Sequence, residues 1–304
     1  MTNLGLALGG GGARGLAHIG VLKVLDSEKI KIDALTGCSM GAIVGGLYAY
    51  FGNAKDVEEF ILNAMKHPKF RELGIEKLNE SAKNSDKNYF NKFLDYIELR
   101  LQAIKSLTSL SYFDEETTNE IYNILPDVTL DNLKIKFSAI STDLITGEEI
   151  NFVRGKLRDV LKASSAIPGI FPPVKLDGYY LIDGYTSENV PASKVRQLGA
   201  NKVVAVNVSR TLNIIEPPKN IIDILYRTED ITSYHLSIMK LKEADLIIYP
   251  EVSNYSWTDF DKAEEIIEAG VKAAEKKLNE IKELVHEYSI FRKVKNFISK
   301  AVKL

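Results

Sequence analysis

Short apolar runs alternate with longer stretches of helical periodicity in the first fifty residues. Residues 4–8 form a compact apolar run, and residues 14–29 repeat apolar side chains every three or four positions, which is typical of a helix. A second pair follows, in which residues 32–36 predict a strand and residues 42–51 an apolar helix. This order of strand, helix, strand and helix predicts parallel strands joined by right-handed crossovers.

Further apolar runs of strand length follow in the rest of the chain, at residues 134–140, 179–182, 202–208 and 245–249. The last two are apolar over most of their length, which suits strands of a sheet that helices cover on both faces. We therefore predict a three-layer α/β/α fold with a mostly parallel central sheet.

The predicted elements group into one large domain with two additions. Residues 1–285 contain no clear linker and are treated as a single domain. Within it, residues 56–123 are polar and helical in pattern, and they predict either a cap over the site or an ordinary helical insertion. Residues 286–304 are strongly basic, and the apolar side chains of 291–304 share one side of a helix. They predict a peripheral contact with anionic membranes or a terminal helix docked on the domain.

Composition narrows the class of protein. With 304 residues, of which 45% are hydrophobic, the chain can bury a large core. A formal net charge of −2 argues against a general nucleic-acid-binding protein. The single cysteine, Cys38, cannot form an internal disulfide, and no run reaches the roughly 18 apolar residues of a spanning helix. We expect a cytoplasmic protein that meets membranes only from the surface.

The first predicted strand runs into a glycine-rich turn that opens a helix. Gly10-x-Gly12-x-x-Gly15 matches the dinucleotide-binding pattern, but such a turn brings backbone N–H groups toward any anion, a pyrophosphate or an oxyanion alike. The acid that would hold a ribose, Asp33, stands at the beginning of the second strand, whereas ligands bind at carboxyl ends. The lysine and hydroxyl of a P-loop are not in place either.

The second predicted strand ends in Gly37-Cys38-Ser39-Met40-Gly41, the pattern G-x-S-x-G. Glycines two positions before and after the serine permit a sharp turn from strand to helix that exposes the Ser39 hydroxyl above the sheet. Because an apolar strand precedes this turn and an apolar helix follows it, we predict a nucleophile elbow with Ser39 as the nucleophile.

Ser39 needs a group that accepts its proton. The chain has four histidines, His18, His67, His235 and His286. None of them follows a late strand, where the histidine of a hydrolase triad stands. Asp183, in contrast, ends the predicted strand 179–182, and Gly184 after it allows close backbone approach. Asp183 is therefore the stronger candidate for the base.

Four blocks of sequence carry a family resemblance. Residues 9–15, 37–41, 164–173 and 182–184 read GGGGARG, GCSMG, SSAIPGIFPP and IDG, and together they resemble the patatin-like phospholipases, particularly the bacterial ones. The resemblance covers about residues 4–208. It implies a dyad of Ser39 and Asp183 rather than a triad, with an oxyanion hole formed by Gly9, Gly10, Gly11 and Gly12. It also implies hydrolysis of lipid acyl esters without a metal or an organic cofactor.

Several residues within or near these blocks carry further expectations. Tyr185 stands where the family usually has glycine or alanine, and its bulk could narrow the site. Arg14 supports either the glycine turn or an anionic group. Cys38 and Asp143 are interpreted as structural, and Asp177-Gly178 as a hairpin-like turn.

Three other functions are compatible with parts of this pattern. An acyltransferase would pass the same acyl group from Ser39 to an alcohol or a thiol. A non-hydrolytic acyl-binding regulatory protein would keep the fold, but the intact Ser39, Asp183 and glycine loop count against it. A nucleotide-binding oxidoreductase ranks third, because Asp33 lies at the wrong edge of the sheet.

Overall fold

The structure is a computed structural model. It describes residues 3–68, 70, 109–212, 214, 217–218 and 221–301, and of residues 221–223, 225–226 and 286–301 it describes the backbone alone. Most of the predicted insertion, residues 71–108, and the end of the predicted C-terminal helix, residues 302–304, lie outside the described residues.

The centre of the fold is a mixed sheet of eight strands. The strands are β1 (Leu4–Leu8), β2 (Ala34–Cys38), β3 (Lys136–Asp143), β4 (Glu149–Phe152), β5 (Val174–Leu176), β6 (Tyr179–Asp183), β7 (Lys202–Val206) and β8 (Leu246–Ile248). They lie in the order β5-β6-β3-β2-β1-β7-β8, and β4 pairs with β3. Strands β3, β2, β1, β7 and β8 are parallel, whereas β4 and β6 pair antiparallel with β3, and β5 pairs antiparallel with β6. The predicted α/β fold is confirmed, with a more mixed sheet than expected.

Helices flank this sheet. In the described part of the chain they are α1 (Ala17–Ser27), α2 (Met40–Phe51), α3 (Ala54–Lys66), α4 (Glu115–Tyr122), α5 (Leu157–Ser164), α6 (Ala192–Gln197), α7 (Ile221–Leu241) and α8 (Ala263–Ala301).

The alternation of side chains along β1 explains the two covered faces of the sheet. Leu4, Leu6 and Leu8 point into the larger core, which α1, α2 and α8 complete. The intervening Gly5 faces α6, where a Cβ would lie 2.6 Å from Cγ2 of Val195. Helix α6 can therefore pack this closely only over small strand residues.

The structure departs from the predicted elements mainly where strands are short. Strands β4 and β5 span only four and three residues and are partly exposed, so their apolar patterns gave no clear signal. The turn between β5 and β6 is a confirmed prediction. Asp177 has φ 50° and Gly178 has φ 85°, and two consecutive left-handed residues are what a two-residue hairpin turn requires.

The long helix α8 packs along α1, and the contacts define its direction. A Cβ on Gly20 would lie 2.0 Å from the carbonyl oxygen of Ile267, and Lys282 Nζ lies 2.6 Å from an oxygen of Glu28. Since α1 runs from the carboxyl edge of the parallel strands to the amino edge, α8 does the same. Residues 286–301 of the predicted C-terminal helix thus continue α8, which extends past Lys282 by roughly 28 Å at 1.5 Å per residue.

Among the described residues, no helix combines the length and the apolar character that crossing a bilayer requires.

Candidate functional site

The second glycine turn joins β2 to α2, and Ser39 is its apex. Ser39 has φ 53° and ψ −124°, a backbone region that costs a non-glycine residue on the order of 1–3 kcal/mol. The turn is so tight that a Cβ on Gly37 would lie 2.4 Å from the nitrogen of Ala42. Strain persists only where the surrounding structure enforces it, and this geometry matches the predicted nucleophile elbow.

The register of three strands brings Ser39 and Asp183 together. Cys38 of β2 pairs with Ile140 of β3, and the next residue of β3, Ser141, pairs with Asp183 of β6. Strand β4 pairs with the opposite edge of β3 at residues 139–142, so β2 and β6 follow one another along the same edge, and Ser39, directly after Cys38, meets Asp183 where these two strands adjoin. The Ser39 hydroxyl donates a 2.6 Å hydrogen bond to Oδ2 of Asp183.

The strand that carries Asp183 does not run in the expected direction. Asp183 ends its strand as predicted, but β6 is antiparallel to β3 in a sheet that the sequence predicts to be mostly parallel. Because β6 begins beyond the carboxyl edge of the parallel strands and runs inward, its last residue stops at that edge. Ser39 and Asp183 meet as predicted, but the antiparallel direction of β6 was not predicted.

Asp183 is a buried carboxylate held by three donors. Its Oδ1 accepts a 2.8 Å hydrogen bond from the Tyr185 N–H and a 3.7 Å contact from the Cys38 thiol, while Oδ2 faces Ser39. Burial raises the pKa of Asp183 to about 6, although the hydrogen bonds from Ser39, Tyr185 and Cys38 act in the opposite direction. A carboxyl group with this pKa is a better proton acceptor than an ordinary aspartate and is still ionised at neutral pH.

Neither His18 nor His235 takes part in this contact. His18 is fully buried, and its Nε2 lies 2.7 Å from the carbonyl oxygen of Gly9, to which it can donate. Burial lowers the pKa of His18 to about 4, which keeps the ring neutral. His235 is exposed on α7, and the side chains of His286 and its neighbours lie outside the description. His18 therefore supports the glycine loop through its contact with the Gly9 carbonyl.

The glycine loop offers fewer free donors than the sequence suggested. The Gly9 N–H donates to the Val206 carbonyl, and the Gly10 N–H donates to the Asn189 carbonyl, each over 3.0 Å. Within the described ranges, the N–H groups of Gly11 and Gly12 meet no acceptor. Of the four glycines predicted to form an oxyanion hole, Gly9 and Gly10 have N–H groups that are already bonded, so Gly11 and Gly12 are the candidate donors among the described residues.

Arg14 lies under the same loop. Its guanidinium is buried, and Nε donates a 3.2 Å hydrogen bond to the Gly11 carbonyl, which fits the predicted support of the turn. Burial lowers the pKa of Arg14, and Nη1 meets no acceptor in the part of the chain that the structure describes. Because the Gly11 carbonyl and the Gly12 N–H belong to one planar peptide, this hydrogen bond also fixes the direction of the Gly12 N–H.

Sequence reasoning did not identify two residues that hold the site. Ser164, at the end of α5, accepts a hydrogen bond from the Ser39 N–H and donates to the Ile140 carbonyl over 2.5 Å. Asn189 provides the carbonyl that fixes Gly10, and its own Nδ2 is bonded to the Ser233 carbonyl of α7. Ser164 belongs to one of the blocks of the family resemblance, whereas nothing in the sequence distinguishes Asn189.

Tyr185 lies against the glycine loop beside Ser39. A Cβ on Gly10 would lie 2.8 Å from Cδ2 of Tyr185 and 3.2 Å from Cβ of Ser39. The ring therefore forms one wall of the site and requires glycine at position 10. Burial raises the pKa of Tyr185, so its phenol stays protonated.

An aromatic cluster lies near the other side of Asp183. The Phe113 and Phe171 rings have centroids 5.4 Å apart, and Tyr122 packs edge-on against Phe171. The Tyr122 hydroxyl is hydrogen-bonded to Ser165 over 2.6 Å, and the loop after Ser165 bonds the Asp183 N–H through Ala166. An apolar wall of this kind suits the hydrocarbon part of a ligand.

Asp143 is a second carboxylate in the same region, and its oxygens are taken up by hydrogen bonds within the fold. Its Oδ2 accepts hydrogen bonds from the N–H and hydroxyl of Thr146, and its Oδ1 accepts one from the Tyr180 N–H. These bonds lower the pKa of Asp143. The carboxylate fixes the turn after β3 to the β5–β6 hairpin, as its structural interpretation predicted.

Comparison with known proteins agrees with this architecture. The sequence profile of the patatin-like phospholipase family matches residues 6–195. A patatin-like phospholipase domain-containing protein of Caenorhabditis elegans is 27% identical, over 91% of this chain and 21% of its own length. An uncharacterized NTE family protein of Mycobacterium tuberculosis is 31% identical, over 67% of this chain and 48% of its own length. The chain thus spans less than half the length of these relatives.

Two further comparisons are with a named relative and with a solved structure. The Drosophila melanogaster protein named neuropathy target esterase sws is 29% identical, over 68% of this chain and 13% of its own length. The crystal structure of VipD from Legionella pneumophila superposes with a TM-score of 0.50 at 14% identity, over 92% of this chain and 67% of VipD. At that identity the likeness concerns the fold alone.

Proposed function

Because the chain belongs to the patatin-like phospholipase family, we propose that it hydrolyses fatty acyl esters of phospholipids or lysophospholipids, with Ser39 as nucleophile and Asp183 as base. The observation that carries the proposal is the 2.6 Å hydrogen bond from the Ser39 hydroxyl to Asp183 inside a buried site. The names of relatives, which include lysophospholipase and neuropathy target esterase, support the same class of substrate.

The proposed reaction has two steps. Asp183 accepts the Ser39 proton while Oγ attacks the ester carbonyl carbon, and the N–H groups of Gly11 and Gly12 stabilise the oxyanion. The protonated Asp183 then returns its proton to the departing alcohol, which leaves an acyl group on Ser39. Asp183 next takes a proton from water as that water attacks the acyl carbonyl, and it returns this proton to Ser39 Oγ as the bond to the acyl carbon breaks and the fatty acid departs. No metal and no organic cofactor takes part in these steps.

One experiment tests the proposal as a whole. The purified protein is incubated with a fluorophosphonate probe, the labelled residue is identified by peptide mass spectrometry, and a panel of phosphatidylcholine, lysophosphatidylcholine and a short-chain soluble ester is assayed for free acid. We expect label on Ser39 and acid from at least one ester. Label elsewhere would contradict the nucleophile assignment. Acyl groups recovered on an added alcohol instead of as free acid would favour the acyltransferase.

The pH dependence of the reaction follows from Asp183. The base works only when ionised, and burial raises its pKa to about 6. For a soluble ester, kcat/KM is therefore expected to rise about tenfold per pH unit below pH 6 and to level off above it. A limb centred near the ordinary aspartate value of about 4 would contradict the buried-base assignment.

Residues 291–304 are proposed as a peripheral contact with anionic membranes. They carry Arg292, Lys293, Lys295, Lys300 and Lys303 and no acid. We expect deletion of the residues after Ser289 to lower turnover of anionic vesicles and to spare the soluble ester, and we expect high salt to imitate the deletion. Glutamine at all five cations is the matched variant that keeps the helix length. Equal losses on both substrates, or unfolding of the truncated chain, would favour docking on the domain.

The direction of α8 limits what this contact can do. The helix leaves the domain at the amino edge of the parallel strands, whereas Ser39 lies at their carboxyl edge. The segment can hold the protein at an anionic surface, but the surface that admits a lipid to Ser39 must lie elsewhere.

A further inference from the structure

Several large apolar side chains remain exposed at the edge of the sheet that carries Ser39. They are between 38% and 75% exposed, and we call them the apolar rim: Leu110, Tyr112, Leu144, Ile145, Tyr179 and Tyr249. Large apolar side chains that gather around a site, rather than scatter singly, mark an interaction surface.

One part of the apolar rim follows β3. Leu144 and Ile145 come directly after the last residue of that strand. The Leu144 N–H donates a 2.8 Å hydrogen bond to the Tyr180 carbonyl, so the tip of the β5–β6 hairpin, with Tyr179, stands beside them. These three side chains lie at the edge where Asp183 meets Ser39.

A second part is tied to the loop that supports Asp183. Residues Ser111 and Gly169 form a bridge, and the Tyr112 N–H donates to the Gly169 carbonyl over 2.9 Å. The same loop accepts the Asp183 N–H through the Ala166 carbonyl. Leu110 and Tyr112 therefore extend the apolar rim along the aromatic side of the site.

The last member, Tyr249, lies on the opposite flank, directly after β8. The sheet order places β2, and with it Ser39, between β3 and β8. At about 4.8 Å between strands, the residues after β3 and after β8 lie roughly 19 Å apart, with Ser39 between them.

The loops that carry the apolar rim contain no cation. Residues 109–113, 144–148, 177–180 and 249–251 contain three acids, Glu148, Asp177 and Glu251, and no lysine, arginine or histidine. Three of the six side chains are tyrosines, whose apolar ring and polar hydroxyl suit the boundary between lipid head groups and acyl chains.

From this composition we infer that the apolar rim is a docking surface for a phospholipid bilayer, which it contacts through loops without cations and therefore without selecting anionic lipids. The inference rests on the proposed function, since a lipid substrate must pass from the bilayer to Ser39. It differs from the contact proposed for residues 291–304 in charge and in position, because those residues are basic and continue from the amino edge of the sheet.

The test measures binding rather than turnover. The Ser39→Ala protein is sedimented with vesicles of pure phosphatidylcholine in high salt, alone and with Leu144→Ser/Ile145→Ser. The matched control is Val153→Ser/Met239→Ser, which removes two exposed apolar side chains away from the carboxyl edge. We expect the first pair to lower the partition coefficient about tenfold or more and the control pair to change it less than twofold.

Three results would overturn the inference. The first is equal partition of the two double variants at equal melting temperature. The second is binding that requires anionic lipid or disappears in high salt. The third is a dimer in sedimentation velocity that Leu144→Ser/Ile145→Ser dissociates, which would assign the apolar rim to a second copy of the chain. Activity of the protein with native Ser39 on the soluble ester is measured in parallel, so that a failed docking surface and a failed hydrolase give different results.

Discussion

Replacement of Ser39 by alanine is expected to lower hydrolysis of every ester by roughly 10⁴-fold or more and to abolish fluorophosphonate labelling. The substitution removes the oxygen that attacks the carbonyl carbon and leaves Cβ in place. Because alanine keeps the strained backbone of Ser39, at φ 53°, the melting temperature should change little. Turnover of soluble esters and differential scanning calorimetry measure the two effects.

The strained turn provides a sharper comparison at the same position. Ser39→Gly should be just as inactive as Ser39→Ala but more stable, by on the order of 1 kcal/mol, because glycine adopts this backbone conformation without strain. Ser237→Ala is the control for removal of a buried hydroxyl, since the Ser237 hydroxyl donates to the Tyr234 carbonyl within α7. Undiminished turnover in Ser39→Ala would end the nucleophile assignment.

Replacement of Asp183 by asparagine is expected to reduce turnover by roughly 10³-fold or more, because an amide cannot accept the Ser39 proton. A double variant with Ser39→Ala should be no worse than Ser39→Ala alone, since the two residues act as one unit. If His18→Ala matches the loss while Asp183→Asn is mild, the base is a histidine.

The Asp183→Asn variant should also be more stable than the native protein above pH 6. Burial raises the pKa of Asp183 from an ordinary value of 3.8 to about 6, so the folded state holds this proton more tightly than the unfolded state. The stability contributed by the protonated group is present below pH 4 and declines as the pH rises to 6. At about 1.4 kcal/mol per pKa unit, the ionised carboxylate costs the folded state roughly 3 kcal/mol.

Urea unfolding of Asp183→Asn and the native protein at pH 5 and pH 8 checks this expectation. The gain in the free energy of unfolding should be larger at pH 8. Asp143→Asn is the matched control, because hydrogen bonds lower the pKa of Asp143 and make its charged form stabilising, so this variant should lose stability at neutral pH. A loss of stability for Asp183→Asn at pH 8 would contradict the assignment of Asp183 as a desolvated base with a raised pKa.

Features that a few consecutive residues specify were predictable from the sequence. The elbow at Ser39 depends on glycines at positions 37 and 41 between an apolar strand and an apolar helix, and all of these lie within about twenty residues. The hairpin at Asp177-Gly178 is local in the same sense, because two left-handed residues define its turn. Such elements are predictable since their geometry is set by neighbours along the chain.

The way in which distant segments complete the site became visible only in the folded structure. Asp183 reaches Ser39 because β6 is antiparallel to β3, and strand direction depends on pairing between segments about forty residues apart. The N–H groups of Gly9 and Gly10 are bonded to Val206 and Asn189, far along the chain, which leaves Gly11 and Gly12 free among the described residues. Hydrogen-bond partners and strand register are set by packing of the whole sheet, and no local pattern of residues specifies them.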